Sequence, residues 1–429
     1  MATDFLEDLR RRNLIHQISA PELAAALTDG RVTGYIGFDP TADSLHVGSL
    51  LPLVTLRRFQ QAGHRPIGLV GGGTGLVGDP SGRESERSLL TLEQLEQNLA
   101  GIRRQVERFL DLNAGDALLV NNADWLRQLN LLEFLRDIGK HFSVNQMMAR
   151  DSVRMRLETR EQGLSYTEFT YMLLQAYDFL ALYDRYGCTL QMGGSDQWGN
   201  IVSGSDLVRR LRGAETFGLT MPLVTRSDGK KFGKSEEGNI WLDPQRTSPY
   251  QFYQFWINTD DTDAVQYLRF FTGLPIADIE ELARTVASAP EQRAAQRVLA
   301  EQVTELVHGR EALARAQRAT AVLFDKHADY RQLSGQELAE AFHGAPTTAF
   351  DRTALGSPAA DLTAILEQVE LYPSRGRARK DIPAGAVSVN NVAVRDISYQ
   401  LSEQDLLPGD FIILRKGKKT YHVLKVGAA

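Results

Sequence analysis

Residues 32–51 read VTGYIGFDPTADSLHVGSLL. The apolar run from Val32 to Phe38 predicts a short strand, and DPTADS is turn chemistry. From His46 the spacing in HVGSLLPLVTLRRFQQAG predicts a helix that closes at Gly63. Strand, polar loop and helix in that order open a βαβ unit. The turn residues account for the loop, but not for a histidine and a glycine placed where the helix begins. A helix start presents free N–H groups and a partial positive charge, which suits phosphate. Gly48 would let a bulky ring lie on the backbone, and His46 and Thr41 could donate hydrogen bonds to phosphate oxygens.

The same alternation continues outward. PIGLVGG (66–72), ALLVNN (117–122), CTLQMGG (188–194) and MPLVT (221–225) are strand-like. Between the first two, Leu92, Leu95, Leu99, Ile102, Val106 and Phe109 recur at helical spacing. NLLEFLRDIGKHF and the stretch up to about Leu211 also read as helices. Alternating β and α predicts a Rossmann-like parallel sheet covered by helices, over residues 1–247. From Ser248 strand signals vanish, and an all-α domain is expected at 248–342. The Ala-, Thr-, Gly- and Pro-rich stretch 343–360 reads as a linker, and 361–429 as a small α+β module.

The 429 residues allow several cores, and the composition is that of a soluble globular protein. The single Cys188 excludes an intramolecular disulfide framework and a cysteine metal cluster, and fits a reducing compartment. The opening MATDFLEDLRRRNL lacks the apolar run of a signal peptide, and no segment approaches a membrane span; a cytoplasmic protein is expected. The net charge of −6 is uneven. Residues 374–425 hold 10 Lys+Arg against 5 Asp+Glu, which leaves 38 basic and 49 acidic residues, or −11, elsewhere. A basic tail on an acidic body fits a polyanionic partner.

Two nucleotide motifs fail on inspection. Gly73-x-Gly75-x-x-Gly78 follows a strand, but the turn Asp79-Pro80-Ser81-Gly82 stands where a dinucleotide site needs a helix. Gly233-Lys234-Ser235 mimics a P-loop, but Asp228 occupies its first glycine position. The glycines of 71–78 instead allow close backbone approach to a ligand, with Asp79 pointing into that space. In SDGKKFGKSEEGN, Phe232 is an apolar anchor between Lys231 and Lys234, an arrangement for positioned charge. With the His46 turn, these lysines form parts of a site that holds a triphosphate and stabilises departing pyrophosphate. In YMLLQAYDF, Tyr171, Gln175 and Asp178 share one face of an otherwise apolar helix, and buried polar groups there need a polar ligand.

HVGS resembles the HIGH signature of class I aminoacyl-tRNA synthetases, and KFGKS their KMSKS loop. YIGFDPTADSLHVGSL, GLVGDPSGRESER, YTEFTYMLLQAYDF and QMGGSDQWGN resemble the bacterial tyrosyl group, and SRGRARKDI with FIILRKGKKTYHVLKV resembles its S4-like RNA-binding domain. The likeness covers essentially the whole chain. It implies that Tyr35 and Asp178 hydrogen-bond the phenolic hydroxyl of L-tyrosine, and that Asp79, Tyr171 and Gln175 hold its ammonium group, with Gln191 and Gln197 alongside. It implies ATP contacts at Gly37, Asp39, Gly48, Ser49, Gly194 and Asp196. Thr41 and His46 are implied at the phosphates, with Arg83 and Arg87 as further cations and Lys231, Lys234 and Ser235 in the mobile signature loop. ATP is then a substrate carrying Mg²⁺, without a metal cluster of the protein's own. Arg375, Arg377, Arg379, Lys380, Lys416, Lys418 and Lys419 are expected to meet tRNA(Tyr), in a homodimer. A site built to pair a hydroxyl rejects the analogue without one; tyrosyl enzymes are themselves the standard instance of that rule.

Ser49 replaces the second histidine of HIGH, and Ile36 stands where many relatives carry a cysteine at the ribose; both departures bear on ATP affinity. KFGKS is a variant that the tyrosyl group accommodates. The alternatives are the sister tryptophanyl enzyme, against which Tyr35, Asp178 and the S4-like tail argue, and a non-catalytic RNA-binding protein on the same scaffold.

Overall fold

The computed structural model describes residues 4–81, 90–112, 116–150, 153–154, 164–227, 232–235, 238–325, 328–417 and 420–427. The chain divides into two compact units: residues 1–243 with 259–299, and residues 244–258 with 300–429.

The first unit is built on a six-stranded sheet. Its strands are β1 (Gln17–Ile18), β2 (Thr33–Phe38), β3 (Arg65–Val70), β4 (Leu118–Asn121), β5 (Leu190–Gly194) and β6 (Phe217–Met221), in the spatial order β1-β6-β5-β2-β3-β4. β2 to β6 run parallel, and β1 joins the β6 edge antiparallel. The expected Rossmann-like sheet is therefore present. MPLVT gives up all but Met221 to a loop: β6 is FGLTM, buried at all five positions, and Pro222 cannot donate to the ladder and ends it. The helix Leu92–Phe109 opens with a capping box from Thr91 and Gln94. It buries Leu95, Ile102, Val106 and Phe109, whereas Leu92, expected on that stripe, is exposed. The polar-faced helix Tyr166–Tyr186 is capped by Ser165 and closes at left-handed Gly187. None of the described helices is long and apolar enough to cross a membrane.

A two-stranded ribbon follows, β7 (Lys234–Ser235) with β8 (Gly238–Asn239). The helical stretch is not one domain. The helices Asp261–Phe271 and Ile276–Ser288 belong to the first unit, while Pro249–Ile257, Arg310–Phe324 and Gly335–Ala341 belong to the second. The second unit holds a five-stranded sheet of β9 (Thr347–Asp351), β10 (Val387–Val389), β11 (Val392–Val394), β12 (Phe411–Lys416) and β13 (Thr420–Gly427), in the order β11-β10-β12-β13-β9. This corrects the expected linker: within 343–360, β9 pairs in parallel with β13, and Phe350, Leu355 and Ala360 pack on the sheet core. The sheet also shares a core with the helical part, in which Leu407, Ile413 and Val423 meet Ala319, Tyr330 and Leu338.

Candidate active site

β2 lies where the strand order reverses, and the carboxyl ends of β2, β3, β5 and β6 open on a cavity of about 790 Å³. At its floor Tyr35 stands edge-on to Phe179, with ring centroids 5.5 Å apart. The Tyr35 hydroxyl is buried and meets no hydrogen-bond partner among the described residues. Asp178, 1 % exposed, accepts from Trp125 Nε1 (2.7 Å) and Asn122 Nδ2 (2.9 Å). Burial pushes the Asp178 carboxyl up to about 7 against the opposing pull of those two donors. Burial first, then the nearby charge of Asp178, holds the Tyr35 phenol well above its usual range.

Polar groups ring the middle of the cavity. Asp39 accepts from Tyr171 Oη and from Thr74 Oγ1, both at 2.9 Å. Asp79 accepts from Gln197 Nε2 at 2.8 Å, and Asn200 Nδ2 donates to Gln175 Oε1 at 3.0 Å. Gln191 Oε1 is buried and, like the Tyr35 hydroxyl, meets no partner among the described residues. The cavity thus gathers carboxylates and amide oxygens, a setting for an ammonium group.

The other end is built on the His46 turn. His46 caps the short turn Val47–Ser49, and its Nδ1 accepts the Gly48 N–H at 3.0 Å. Burial lowers the imidazole pKa, so the ring is neutral and carries its proton on Nε2, free to donate. A Cβ at Gly48 would stand 2.6 Å from His46 Cε1, and this explains the glycine. At Gly37, which also lines the cavity, the same addition would meet open space.

The signature loop is tied to this turn. Val47 N–H donates to Ile240 O (3.0 Å), Leu242 N–H donates to Leu45 O (2.9 Å), and Trp241 lies edge-on to His46. Gly233, at φ +79°, comes so close that a Cβ would touch Val47 Cγ2 at 2.7 Å. The apolar anchor Phe232 stacks on Phe271 at 5.6 Å and meets Tyr267 edge-on at 5.0 Å.

Tyr35, Asp79, Tyr171, Gln175, Asp178, Gln191 and Gln197, the residues expected around tyrosine, all line one cavity. Gly37, Asp39, Thr41, His46, Gly48, Ser49, Gly194 and Asp196 line it too. Arg83, Arg87 and Lys231 lie outside the described residues, as do the side chains of Lys234 and Ser235, whose backbone forms β7. Sequence reasoning missed Asn122, Trp125, Thr74 and Asn200. One signal was available: ALLVNN ends an apolar strand on two amides, and Asn122 is only 1 % exposed.

In the second unit, Arg375, Arg377, Arg379 and Lys380 are exposed on the helix Arg375–Asp381. Arg375 pairs with Glu367 (3.2 Å) and Arg377 with Asp381 (3.3 Å); exposed pairs of this kind are weak and exchange readily for phosphate. Lys416 instead donates to Leu371 O at 2.8 Å and lies over the Tyr372 ring, so it is partly committed to the fold. Lys418 and Lys419 lie outside the described residues.

A parallel sheet with a nucleotide-type turn and a loop tethered beside it matches the family described as tRNA synthetases class I (W and Y) over residues 28–325, and the chain belongs to that family. Residues 337–424 match the Tyrosine--tRNA ligase SYY-like C-terminal domain. Within the family the likeness runs to the tyrosine branch. The chain is 51% identical to the tyrosine--tRNA ligase of Roseiflexus castenholzii, covering 99% of this chain and 100% of that one. It is 50% identical to that of Geobacillus stearothermophilus, covering 98% and 99%. Among solved structures, a C-terminally truncated mitochondrial tyrosyl-tRNA synthetase of Aspergillus nidulans superposes with TM-score 0.67 at 34% identity, over 75% of this chain and 94% of that one.

Proposed function

We infer that the chain is a tyrosine–tRNA ligase, which activates L-tyrosine with ATP and transfers it to the 3′ end of tRNA(Tyr). The observation that carries this reading is the single cavity joining the Tyr35–Asp178 floor to the His46–Gly48 turn. Tyrosine enters with its phenol between Tyr35 and Asp178, supplying the partner that the buried Tyr35 hydroxyl lacks. Asp79, Tyr171 and Gln175 face its ammonium group, with Gln191 and Gln197 toward the carboxylate. ATP lies along Gly37, Gly48 and Gly194, with Asp39, Ser49 and Asp196 beside it, the last at the ribose. The ionised carboxylate attacks the α-phosphorus, and the bond to pyrophosphate breaks. No general base is required, so catalysis rests on positioning and charge. Neutral His46 donates through Nε2, Thr41 donates its hydroxyl, and Arg83, Arg87, Lys231 and Lys234 stabilise the departing charge. Mg²⁺ would arrive on ATP as part of the substrate; the Thr41 hydroxyl and the His46 imidazole suit phosphate oxygens better than a hard cation.

The tRNA hydroxyl then takes the acyl group. Arg375, Arg377, Arg379, Lys380 and the lysines at 416, 418 and 419 meet tRNA phosphates, giving salt-sensitive affinity. The cytoplasm is the expected setting. A homodimer is supported by exposed apolar side chains at Leu131, Leu132, Leu135, Val144 and Met148 in the first unit. Replacing Leu132, 75% exposed, by Glu is expected to convert dimer to monomer in sedimentation velocity runs; an unchanged dimer places the interface elsewhere.

The deciding assay is ATP–pyrophosphate exchange driven by tyrosine and, separately, by tryptophan. Exchange with tyrosine alone is expected. Tryptophan-driven exchange favours the sister enzyme, and no exchange favours a non-catalytic RNA-binding protein. His46→Ala should slow exchange about 100-fold, the usual loss for one aimed transition-state donor, with tyrosine affinity little changed.

A further inference from the structure

Two arginines are buried at the C-terminal turn of the helix Asp261–Phe271. Arg12, 5% exposed, donates to the carbonyls of Arg269 (3.3 Å), Thr272 (3.3 Å) and Leu274 (2.9 Å). Arg58, 8% exposed, donates to Phe270 O (3.0 Å), Arg269 O (3.1 Å) and Thr272 O (2.7 Å). Such carbonyls carry the negative end of the helix dipole and lack donors within the helix. Asp8 serves both cations: Arg12 Nε lies 2.8 Å from its Oδ1, and Arg58 Nε 3.8 Å from its Oδ2. One carboxylate for two buried guanidiniums is an unfavourable balance, and burial together with the charge of Arg12 pulls Arg58 down to about 9. A glycine cap or water satisfies helix-end carbonyls far more simply, so capping alone does not account for the cluster.

The rest of that helix holds the signature loop. Upstream of the loop, the Ser227 N–H donates to the Asp263 carboxylate (3.1 Å), and Tyr267 Oη donates to Thr225 O (3.0 Å). Within the loop, Phe232 rests on Tyr267 and Phe271. Arg58 sits on the helix Leu50–Gln61, which begins directly after the His46–Ser49 turn. The links therefore close on themselves. The phosphate turn leads through Leu50–Gln61 to Arg58, from Arg58 to Asp261–Phe271, from there to Phe232, and from Gly233 back to Val47.

We propose that Arg58, supported by Arg12 and Asp8, is a positioning residue that fixes the distance between the lysine-bearing loop and the phosphate turn. It touches no substrate and acts through the Asp261–Phe271 helix and Phe232. The inference rests on the proposed tyrosine activation.

The test uses the full chain, with tyrosyl-adenylate formation followed in single turnovers and tyrosine affinity measured by equilibrium titration. Arg58→Met is expected to slow adenylate formation about 10- to 100-fold, the scale of a misplacement near 1 Å, while leaving tyrosine affinity unchanged. Phe232→Ala should slow it comparably. The double variant should be no slower than the slower single one, because both changes break the same path. If Arg58→Met does not fold, Arg58→Lys reaches fewer carbonyls, gives a smaller slowing, and must be coupled to Phe232→Ala in the same way. The proposal is overturned by an unchanged rate, by effects that multiply in the double variant, or by tyrosine affinity falling in step with the rate. A wild-type chain that makes no adenylate overturns the proposed function, and this inference with it.

Discussion

Asp178→Asn is expected to lower kcat/KM for tyrosine in pyrophosphate exchange by about 100- to 1000-fold, with KM for ATP nearly unchanged. The Asp178 carboxylate accepts from Trp125 and Asn122, and its charge acts on the Tyr35 phenol more strongly than any other. An amide there offers one oxygen to three donors once the substrate phenol arrives, and its NH₂ must face another N–H. Each lost bond to a charged acceptor is worth about 1.5–3 kcal/mol, so two such losses already reach this range. The charge itself is measurable without substrate. The folded pKa is raised, so the contribution of this group to stability is present below about pH 4 and lost as pH rises through about 7. The free wild-type chain should therefore lose stability between about pH 4 and 7 relative to the Asn variant. Tyrosine, which brings a donor to the ionised form, should bind wild type more tightly over the same interval. Parallel melting curves for the two proteins, or full activity of the variant, would remove Asp178 from its assigned place.

Gly101→Ala is expected to destabilise the first unit by about 3 kcal/mol, lowering its melting temperature by roughly 5–10 °C. Gly101 lies within the helix Leu92–Phe109, where alanine would ordinarily be favourable by about 1 kcal/mol. Here a Cβ would stand 1.8 Å from the carbonyl oxygen of Asp43, and backbone cannot rotate aside as a side chain can. The loop from Pro40 to Leu45 must lift. It is otherwise held by Gln105, which accepts from Leu45 N–H and donates to Ser44 Oγ, and by Asn98, which donates to Pro40 O. Because the loop carries Thr41 and leads into His46, adenylate formation should fall together with stability. A variant with wild-type melting would show that the helix can slide away from the loop.

Gly101 also marks a limit of sequence reading. Its spacing is visible in NLAGIRRQ, but its reason is a carbonyl more than fifty positions upstream. Contacts of short range were readable: Tyr171, Gln175 and Asp178 share a helix face by period alone, and the His46–Gly48 turn declares itself between a strand and a helix. The reach of Asn122 and Trp125 to Asp178 was not, since it is set by the packing of one helix against one strand end. The stretch 343–360 was misread because its composition is that of a connector, while β9 is stabilised by β13, which comes last in the chain. The division of the helices failed for a similar reason. Periodicity shows that Pro249–Ile257 and Asp261–Phe271 are helical, but not that they serve different cores.

That interleaving sets an order of events on the ribosome. The helix Pro249–Ile257, with Phe252 and Trp256 on its buried side, emerges before the Arg310–Phe324 helix on which it comes to rest. At about 5–20 residues added per second, those aromatic side chains stay uncovered for several seconds while the Asp261–Phe271 and Ile276–Ser288 helices complete the other unit. A nascent chain stalled in that interval would carry a finished activation site alongside a sticky, unburied helix, the species on which a chaperone is expected to act.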